Sequence, residues 1–390
     1  MKKIKFLTVY LLSVLVFLTG CESEPESGMV TGEFVDAADL VSHIRIGWNL
    51  GNTLDAHPEG NRMHRNPTVQ QQEQMWGNPI TTEQMILDIQ EAGFNTLRVP
   101  VTFYTMMDAE FNIREEWMER VVTVVNYGYD NGMIVIVNTH HDEYIFSLFD
   151  DEMDESIVAI GRLWEQLADT FRDHSQRLVF EGLNEPRTIG SELEWAGGTA
   201  EERANVNVLN QLFVDTVRAS GGNNEQRLLM VPTYAAAVNY NAINDFVLPN
   251  DPMNEENRLI VSLHMYSPYA FALHAGGNSV RDWSEDDPES TGSIIWGLDL
   301  AYETFVSRGI PVIMGEMAAI NRDNLESRVA WTYFYVREAR ARGISCIWWD
   351  NGMVGITAGP GSVDHFGLYN RRSREFPFPE IIDAMLRATE

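Results

Sequence analysis

Short apolar runs alternate with amphipathic segments along most of the chain. Eight runs rich in β-branched and aromatic residues predict strands at 44–50, 94–101, 133–140, 177–184, 227–233, 258–266, 310–317 and 344–350. Most of them precede segments with helical periodicity, such as residues 81–93, which begin with a threonine cap and end in glycine. Eight strand–helix units in one chain predict an α/β fold, the (β/α)8 barrel, in which the parallel sheet closes on itself.

The predicted barrel occupies residues 30–390 as a single domain. No linker, low-complexity tract or second domain interrupts this range, and the length beyond a minimal barrel falls in the loops after strands 1, 4, 6 and 8. A doubly wound open sheet is the structural alternative. It is disfavoured because no Gly-x-Gly-x-x-Gly turn follows the first strand.

The first twenty residues, MKKIKFLTVYLLSVLVFLTG, have the layout of a secretory signal, with a positively charged start and an apolar stretch. The sequence LTGC that ends at Cys21 resembles the bacterial lipoprotein signal. This resemblance implies an exported protein, anchored to the cell envelope at the outer membrane or the cell surface by a lipid on Cys21, with residues 21–29 as a polar tether. The alternatives are an ordinary signal peptide or an N-terminal membrane helix, although the apolar run is short for a span.

Charge and composition narrow the class of ligand. The net charge is −29 and the chain has ten tryptophans, a combination that repels polyanions and offers flat apolar faces to a neutral ligand. Nucleic acid is therefore excluded as a partner. With Cys21 lipidated, Cys346 is the only remaining thiol, so no intrachain disulfide can form, and its apolar run predicts a core position. We expect a monomer without cofactor or metal.

Polar side chains stand where the apolar runs end. In a (β/α)8 barrel the chemistry lies at the carboxyl ends of the strands, so these side chains should converge on one cleft. They are Arg98 on strand 2, His140 and His141 on strand 3, Asn184 and Glu185 on strand 4, His264 and Tyr266 on strand 6, Glu316 on strand 7, and Trp349 and Asp350 on strand 8.

Three acids have separate interpretations. Glu185 and Glu316 are placed to face each other across the barrel mouth, as needed to attack one side of a glycosidic bond and protonate the leaving oxygen. At one pH, Glu316 must be ionised, whereas Glu185 must hold a proton through a raised pKa. Glu181 shares the strand parity of Glu185 but lies deeper, so we predict a buried structural acid paired with an arginine or histidine.

Seven ordered segments carry a family resemblance that covers nearly the whole chain. They are GWNLGNTLDA (47–56), LRVPVTF (97–103), NTHHDE (138–143), FEGLNEPR (180–187), LHMYSPY (263–269), IMGEM (313–317) and IWWDNG (347–352). Together they resemble glycoside hydrolase family 5, the old cellulase family A, and within it the bacterial endo-β-1,4-glucanases. The resemblance implies a retaining mechanism with Glu185 as acid/base and Glu316 as nucleophile.

The resemblance also implies supporting roles. Arg98 would hydrogen-bond the nucleophile and keep it charged, and Tyr266 would hold it by a second bond. Asn184 would bind the sugar 2-hydroxyl, His140 and His264 would line the cleft, and Trp349 would be the stacking platform. Asn49 and Asn52 are further candidate sugar contacts.

Several of these residues have alternative interpretations. His140 and His141 could be metal ligands, but adjacent strand residues point to opposite faces, so we expect His141 to pack or bond behind the strand. Arg98 could instead form an ion pair with Glu181 and make no bond to Glu316. Among the tryptophans, Trp117, Trp164 and Trp331 are predicted core residues, whereas Trp76, Trp195, Trp283 and Trp296 could stack on sugar rings.

Alternative substrates and functions also stay open from sequence. The same mechanism could act on xyloglucan, mixed-linkage glucan, xylan or mannan, because loop shape decides the backbone. A non-catalytic carbohydrate-binding surface lipoprotein is the alternative of another class, and the intact pair Glu185 and Glu316 argues against it. A metal-dependent barrel hydrolase is a third possibility.

Overall fold

The computed structural model describes residues 34–58, 66–253 and 256–390. The predicted signal, the tether and Cys21 lie outside the described residues. The eight strands form a closed barrel in sequence order, with every neighbouring pair parallel, which confirms the predicted architecture. The strands are β1 Gly47–Leu50, β2 Thr96–Val99, β3 Ile134–Asn138, β4 Leu178–Glu181, β5 Leu229–Ala237, β6 Leu259–His264, β7 Val312–Met317 and β8 Ser345–Asp350.

Most strands are shorter than the apolar runs that predicted them. β3 ends at Asn138 and β4 at Glu181, so the last residues of both runs belong to the loops at the barrel mouth. The exception is β5, which runs beyond its predicted end and contains Ala235 and Ala236 at positive φ, within an irregular register against β6. The hydrophobic pattern therefore predicts the strand ends, and with them the rim of the site, only approximately.

Helices surround the barrel and connect successive strands. They are α1 Ala37–His43, α2 Val69–Glu73, α3 Glu83–Glu91, α4 Glu115–Tyr129, α5 Met153–Thr170, α6 Ala200–Ala219, α7 Tyr240–Asn244, α8 Tyr269–Ala272, α9 Pro288–Thr304, α10 Leu325–Ala341 and α11 Pro379–Arg387. The helix predicted over 81–93 is confirmed as α3, whose N-cap residue is Thr82 although its side chain makes no capping bond. The long loops after strands 1, 4, 6 and 8 are also confirmed.

Two apolar layers hold this fold together. The larger lies between the strands and the outer helices and includes Trp117, Trp164 and Trp331, each fully buried as predicted. The smaller fills the lower barrel interior with strand side chains, and α1 closes it from below. Cys346 is buried as predicted, and burial raises the pKa of its thiol to about 12, so it is an inert core residue.

Across the described ranges, none of the helices combines the length and hydropathy that a membrane span requires.

Candidate active site

Arg98 is the organising cation of the barrel mouth. Its fully buried guanidinium on β2 donates to four side chains: to Glu181 Oε2 at 2.7 Å, Asn49 Oδ1 at 2.9 Å, Glu316 Oε1 at 2.9 Å and Asn184 Oδ1 at 2.8 Å. Burial alone would lower the pKa of Arg98, but the charges of Glu181 and Glu316 outweigh it and raise that pKa. Arg98 thus bonds Glu316 as the resemblance implied, and the alternative that it pairs with Glu181 alone is wrong, since it pairs with both acids.

Glu316 is held as an acceptor by two donors. Arg98 bonds one carboxylate oxygen, and the Tyr266 hydroxyl donates to the other at 2.8 Å. Burial and the nearby charge of Glu316 raise the pKa of Tyr266 well above its ordinary value, so the phenol keeps the proton that it donates. These two bonds fix the orientation of both carboxylate oxygens of Glu316.

Glu181 is a buried structural acid, as predicted. Arg98 satisfies one of its oxygens, and the Ser262 hydroxyl donates to the other at 2.6 Å. Sequence reasoning missed Ser262, because a single hydroxyl inside the apolar run of β6 does not by itself require a distant partner. This acid balances the charge of Arg98 beneath the cleft, because a buried cation needs paired carboxylates to offset its desolvation.

The two asparagines bonded to Arg98 differ in position. Asn49 on β1 is fully buried, and its amide nitrogen donates to the carbonyls of Gly315 at 2.9 Å and Trp348 at 3.2 Å. Asn49 is therefore a buried hydrogen-bond partner that positions Arg98 below the cleft. Asn184 follows β4 and turns its Oδ1 to Arg98, which leaves its N–H groups on the side away from the guanidinium.

Glu185 lies beyond the end of β4, beside His264. Its Oε1 is 2.8 Å from His264 Nδ1, and the same ring nitrogen is 3.8 Å from Glu316 Oε2. The ligand atoms of these three residues all lie within 4.8 Å of one another. The structure thus brings together the two carboxylates that the sequence placed on opposite sides of the mouth.

The pKa of Glu185 departs from the sequence expectation. Burial raises it, but the bond to His264 and the charges of His264, Arg187 and Arg98 outweigh burial, and the pKa lies below its usual value. The pKa of His264 moves the other way, because Glu316 and Glu185 outweigh the effect of burial and raise it. The expected raised pKa of Glu185 is therefore wrong, because sequence reasoning omitted the neighbouring cations.

His140 and Trp349 form a parallel pair at the mouth. Their rings are stacked, with centroids 5.5 Å apart and planes 4° apart. Asn138 Nδ2 donates to His140 Nδ1 at 3.2 Å, so the ring N–H of the neutral imidazole is at Nε2, which lies 4.0 Å from Glu316 Oε1. Burial lowers the pKa of His140 well below its usual value, which keeps this donor uncharged.

The prediction that His141 packs behind the strand is wrong. β3 ends at Asn138, so the alternation of strand side chains no longer applies at His141, and its ring contacts that of His140 with centroids 4.5 Å apart. It also contacts the rings of His57 at 4.8 Å and Trp76 at 5.6 Å. Trp76 is half-buried and donates its indole N–H to the His57 carbonyl oxygen.

Two groups in the described part of the chain have the spacing of metal ligands. One is Glu185, His264 and Glu316, and the other is Asp55, His140 and His141. In the first group the cation Arg98 already lies 2.9 Å from Glu316. In the second, backbone N–H groups bond both oxygens of Asp55, and Asn138 bonds one nitrogen of His140. The first group is thus already supplied with positive charge by protein side chains.

Three further residues, Asn52, Asp350 and Trp283, form hydrogen bonds to neighbouring parts of the fold. Asn52 is half-buried at positive φ, and its carbonyl oxygen accepts a bond from Asn78. Asp350 is fully buried and accepts the indole N–H of Trp48 at 3.0 Å. Trp283 is also buried and donates to the Ser290 carbonyl oxygen, so it is a core residue that cannot stack on a ligand.

Sequence reasoning missed Arg187, although it follows the Asn-Glu-Pro segment directly. Its Nη1 lies 2.7 Å from Glu143 Oε1 and 3.7 Å from Glu185 Oε2, and its Nε donates to Glu194 at 3.0 Å. Burial raises the pKa of Glu143 to about 7, even though Arg187 opposes that shift. Asp142 beside it also has a pKa raised by burial to about 7. Arg187 therefore links the candidate acid/base to Glu143 on the loop after β3 and to Glu194 on the loop after β4.

Comparison with known proteins places these residues in context. Residues 56–355 match the cellulase family, glycosyl hydrolase family 5. The chain is 44% identical over 356 residues to cellulase/esterase CelE of Acetivibrio thermocellus, covering 90% of this chain and 40% of that protein. It is 39% identical to endoglucanase B of Clostridium cellulovorans, covering 90% of this chain and 76% of that one. The chain therefore spans less than half of the first relative.

Solved structures give the same picture over nearly the full chain. A broad-specificity endoglucanase from Ruminococcus champanellensis with bound cellotriose has 42% identity and a TM-score of 0.85, covering 92% of this chain and 100% of that one. A family 5 lichenase from Caldicellulosiruptor sp. F32 in complex with cellotetraose has 40% identity and a TM-score of 0.85, covering 94% and 99%.

Proposed function

Because the chain belongs to glycosyl hydrolase family 5, we propose that it is a retaining endo-β-1,4-glucanase that cleaves cellulose-type chains through a glycosyl-enzyme intermediate. One observation carries the proposal: oxygens of Glu185 and Glu316 lie within 4.8 Å of each other at the barrel mouth. Carboxyl groups about 5–5.5 Å apart belong to retaining enzymes, whereas inverting enzymes need a wider gap for a water molecule.

In the first step, a Glu316 oxygen attacks the anomeric carbon and the bond from that carbon to the glycosidic oxygen breaks. Glu185 gives its proton to the departing oxygen, which leaves as a sugar hydroxyl. Arg98 and Tyr266 bond the two oxygens of Glu316 and hold it oriented before the attack. The neutral N–H of His140 faces the same carboxylate and adds no charge.

In the second step, Glu185 takes a proton from water, the water oxygen bonds to the anomeric carbon, and Glu316 leaves as a carboxylate. Esterification removes the negative charge of Glu316 while Arg98 and Arg187 keep their positive charges. The ionised form of Glu185 is therefore favoured when a base is needed, in the direction in which these cations already shift its pKa.

The substrate class follows from stacking, charge and relatives. The Trp349 ring, partly exposed and stacked against His140, suits the apolar face of a β-linked sugar. The net charge of −29 disfavours acidic polysaccharides. Relatives named endoglucanases and neighbours holding cellotriose or cellotetraose support a cellulose-type chain. The lichenase neighbour favours mixed-linkage glucan as the second candidate.

The test is hydrolysis by the purified protein of carboxymethyl-cellulose, mixed-linkage glucan, xyloglucan, xylan and mannan, with product sizes measured over time. We expect a rapid fall in the viscosity of carboxymethyl-cellulose and oligosaccharide products of mixed size. Hydrolysis of xylan or mannan alone would reject the glucanase assignment. Binding without any hydrolysis would support a carbohydrate-binding protein, and loss of activity with a chelator would support a metal-dependent hydrolase.

We also propose that Cys21 carries a lipid that anchors the enzyme outside the cytoplasm, and that the folded domain is a monomer. The basis is the LTGC sequence that ends at Cys21 and the polar segment after it. Replacing Cys21 with serine should abolish incorporation of labelled lipid in a bacterial host. Unchanged labelling would reject the anchor, and sedimentation of the soluble domain tests the monomer.

A further inference from the structure

Arg187 lies beside Glu185 without bonding its carboxylate. Its Nη1 is 3.7 Å from Glu185 Oε2, which is longer than a hydrogen bond. The same nitrogen donates instead to Glu143 Oε1 at 2.7 Å and to the main-chain carbonyl oxygen of Glu185 at 2.9 Å. These two acceptors use both hydrogens of Nη1. Glu143 therefore takes a donor that the Glu185 carboxylate could otherwise receive.

The rest of the guanidinium is held by the loop after β4. Arg187 Nε donates to Glu194 Oε1 at 3.0 Å, and the guanidinium carbon lies 4.6 Å from the centroid of the Trp195 ring. Glu194 is itself fixed, since its second oxygen accepts the backbone N–H of Gly190 at 2.8 Å. With the Nε side held in this way, Glu143 is the side chain that decides where Nη1 points.

Glu143 is well placed to restrain an arginine, because its own loop is anchored. The preceding residue, Asp142, accepts the backbone N–H groups of Phe103 and Tyr104 after β2, both at 2.8 Å. The Glu143 side chain is 5% exposed and lines the same narrow cavity as Glu185. Its carboxylate is therefore fixed between the loops after β3 and β4, and Arg187 must point toward it.

Other charged and titratable groups face these three side chains from several strand ends. They are Arg98, His264, Tyr266 and Glu316 around Glu185, then Glu194, His140, His141 and Tyr234 around Arg187, and Asp142 and Tyr104 around Glu143. A substitution at Glu143 removes none of them. Its effect on the proton of Glu185 therefore reports two things, the lost charge of Glu143 and the new position of Arg187, and the choice of variant separates the two.

We propose that Glu143 is a positioning residue that holds Arg187 away from the Glu185 carboxylate, so that Glu185 can keep its proton for the leaving oxygen. This inference rests on the proposed glycanase function and deepens it. A direct ion pair with an arginine favours the ionised form of a carboxyl group. An ionised Glu185 has no proton to give to the departing sugar hydroxyl. Glu143 thus prevents a salt bridge that would disable the acid.

The experiment compares two variants of Glu143 by the pH dependence of kcat/KM. Glu143→Gln keeps an oxygen that can accept from Nη1 but loses the charge, whereas Glu143→Ala loses both. Each is assayed on cellohexaose and on an activated aryl β-cellobioside, in the wild-type background and in Arg187→Met. Glu73→Gln is the matched control, since Glu73 on α2 is also a buried acid, paired with Arg120 on α4 at 2.8 Å.

We expect Glu143→Ala to move the basic limb on cellohexaose to lower pH by about one unit, and Glu143→Gln by roughly half as much. On the aryl cellobioside the limb should stay in place, because the phenol leaves without a proton. In Arg187→Met the two variants should coincide, since no cation is left to release. Glu73→Gln should match wild type on both substrates.

Three kinetic outcomes would overturn the inference. Equal shifts for Glu143→Ala and Glu143→Gln would mean that only the charge of Glu143 matters. An unmoved limb in both variants would mean that Arg187 does not turn toward Glu185. A loss at every pH on both substrates, with unmoved limbs, would mean a merely structural role for Glu143.

A crystal structure of Glu143→Ala tests the inference independently of the reaction. Arg187 Nη1 should lie within hydrogen-bond distance of the Glu185 carboxylate, and an unchanged separation would reject the positioning role. Failure of the proposed function would instead appear in wild type itself, as no cleavage of cello-oligosaccharides.

Discussion

The two carboxylates proposed to be catalytic, Glu316 and Glu185, are held by different parts of the fold. Glu316 lies within β7 and receives its bonds from Arg98 on β2 and Tyr266 after β6, all deep in the mouth. Glu185 lies beyond the end of β4, and its cationic neighbour Arg187 is shared with acids on the surrounding loops. The proposed nucleophile is therefore held by the barrel, and the proposed acid/base lies among the loops.

This difference matches what each acid must do. The nucleophile must remain ionised until it attacks, so a buried arginine with four bonds suits it. The acid/base must gain and lose a proton in each cycle, and His264, which is bonded to it, is itself a group that can titrate. The proposed nucleophile is thus bonded to a permanently charged arginine, and the proposed acid/base to a titratable histidine.

The largest effect is expected from removing the charge of Glu316, the acid that the barrel holds. Glu316→Gln keeps shape and hydrogen bonding but cannot form the glycosyl-enzyme, so turnover should fall about 10⁴-fold or more. Steady-state hydrolysis of carboxymethyl-cellulose measures the loss, and calorimetric binding of cellotetraose serves as the control for an intact cleft. Near-normal turnover would remove Glu316 from the nucleophile role. The first product of wild type should have the β-configuration, and an α-anomer would mean inversion.

The next largest effect separates the two acids by chemical step. Glu185→Ala should slow polymer hydrolysis by about 10³-fold, because a sugar hydroxyl leaves only with a proton. An activated aryl cello-oligosaccharide releases its phenol without that help, so stopped-flow should show a burst and then a stall at the glycosyl-enzyme. Azide needs no deprotonation, so it should restart turnover and give a β-glycosyl azide. No burst, no rescue or an α-azide would contradict the assignment.

Replacing each of the two arginines tests the comparison through the free energy of unfolding. Arg98→Met leaves Glu181 and Glu316 buried without their cation, which should cost about 3–5 kcal/mol in the free energy of unfolding. Arg187→Met should cost less, roughly 2 kcal/mol at pH 8. Its cost should shrink at pH 6, because Glu143, with a pKa raised to about 7 and raised further without the arginine, then becomes neutral. Urea denaturation at both pH values measures this, and equal, pH-independent losses would contradict the distinction.

The barrel-held half of the site was largely predictable from sequence. Apolar runs that turn polar identify strand ends, and that rule alone predicts that Arg98, His264, Tyr266 and Glu316 meet in one cleft. Glu181 was also predictable, since an acid inside an apolar run must find a cation. Ser262 was missed because a single hydroxyl within the run of β6 can bond its own backbone and does not by itself require a distant partner.

The loop-held half was not predictable, for physical reasons. Arg187 acquires its role from acids that are distant in sequence, such as Glu143, and these meet only after the loops fold. The pKa of Glu185 depends on three cations from different elements, so its direction could not be read from its own segment. His141 was misplaced because β3 ends two residues before His140, which the hydrophobic pattern did not reveal.

The smallest expected effect tests the shared proton of Glu185 and His264. In wild type this pair keeps one proton until the pH rises through the raised pKa of His264, above its usual 6.5. His264→Gln leaves the proton on Glu185 alone. A single group cannot hold a proton to a higher pH than the coupled pair that contains it, so the basic limb of the kcat/KM profile should move to lower pH, with the acid limb unchanged.

A stability measurement provides the control for this shift. A histidine whose folded pKa is raised stabilises the protein fully below pH 6.5, and that contribution is lost as the pH rises through the folded value. The unfolding free energy of wild type should therefore fall with pH in this window more steeply than that of His264→Gln. A basic limb that stays in place, together with equal pH slopes of stability, would mean that His264 does not share the acid/base proton. The loop-held acid would then be as fixed in charge as the barrel-held one, and the proposed division of the site would fail.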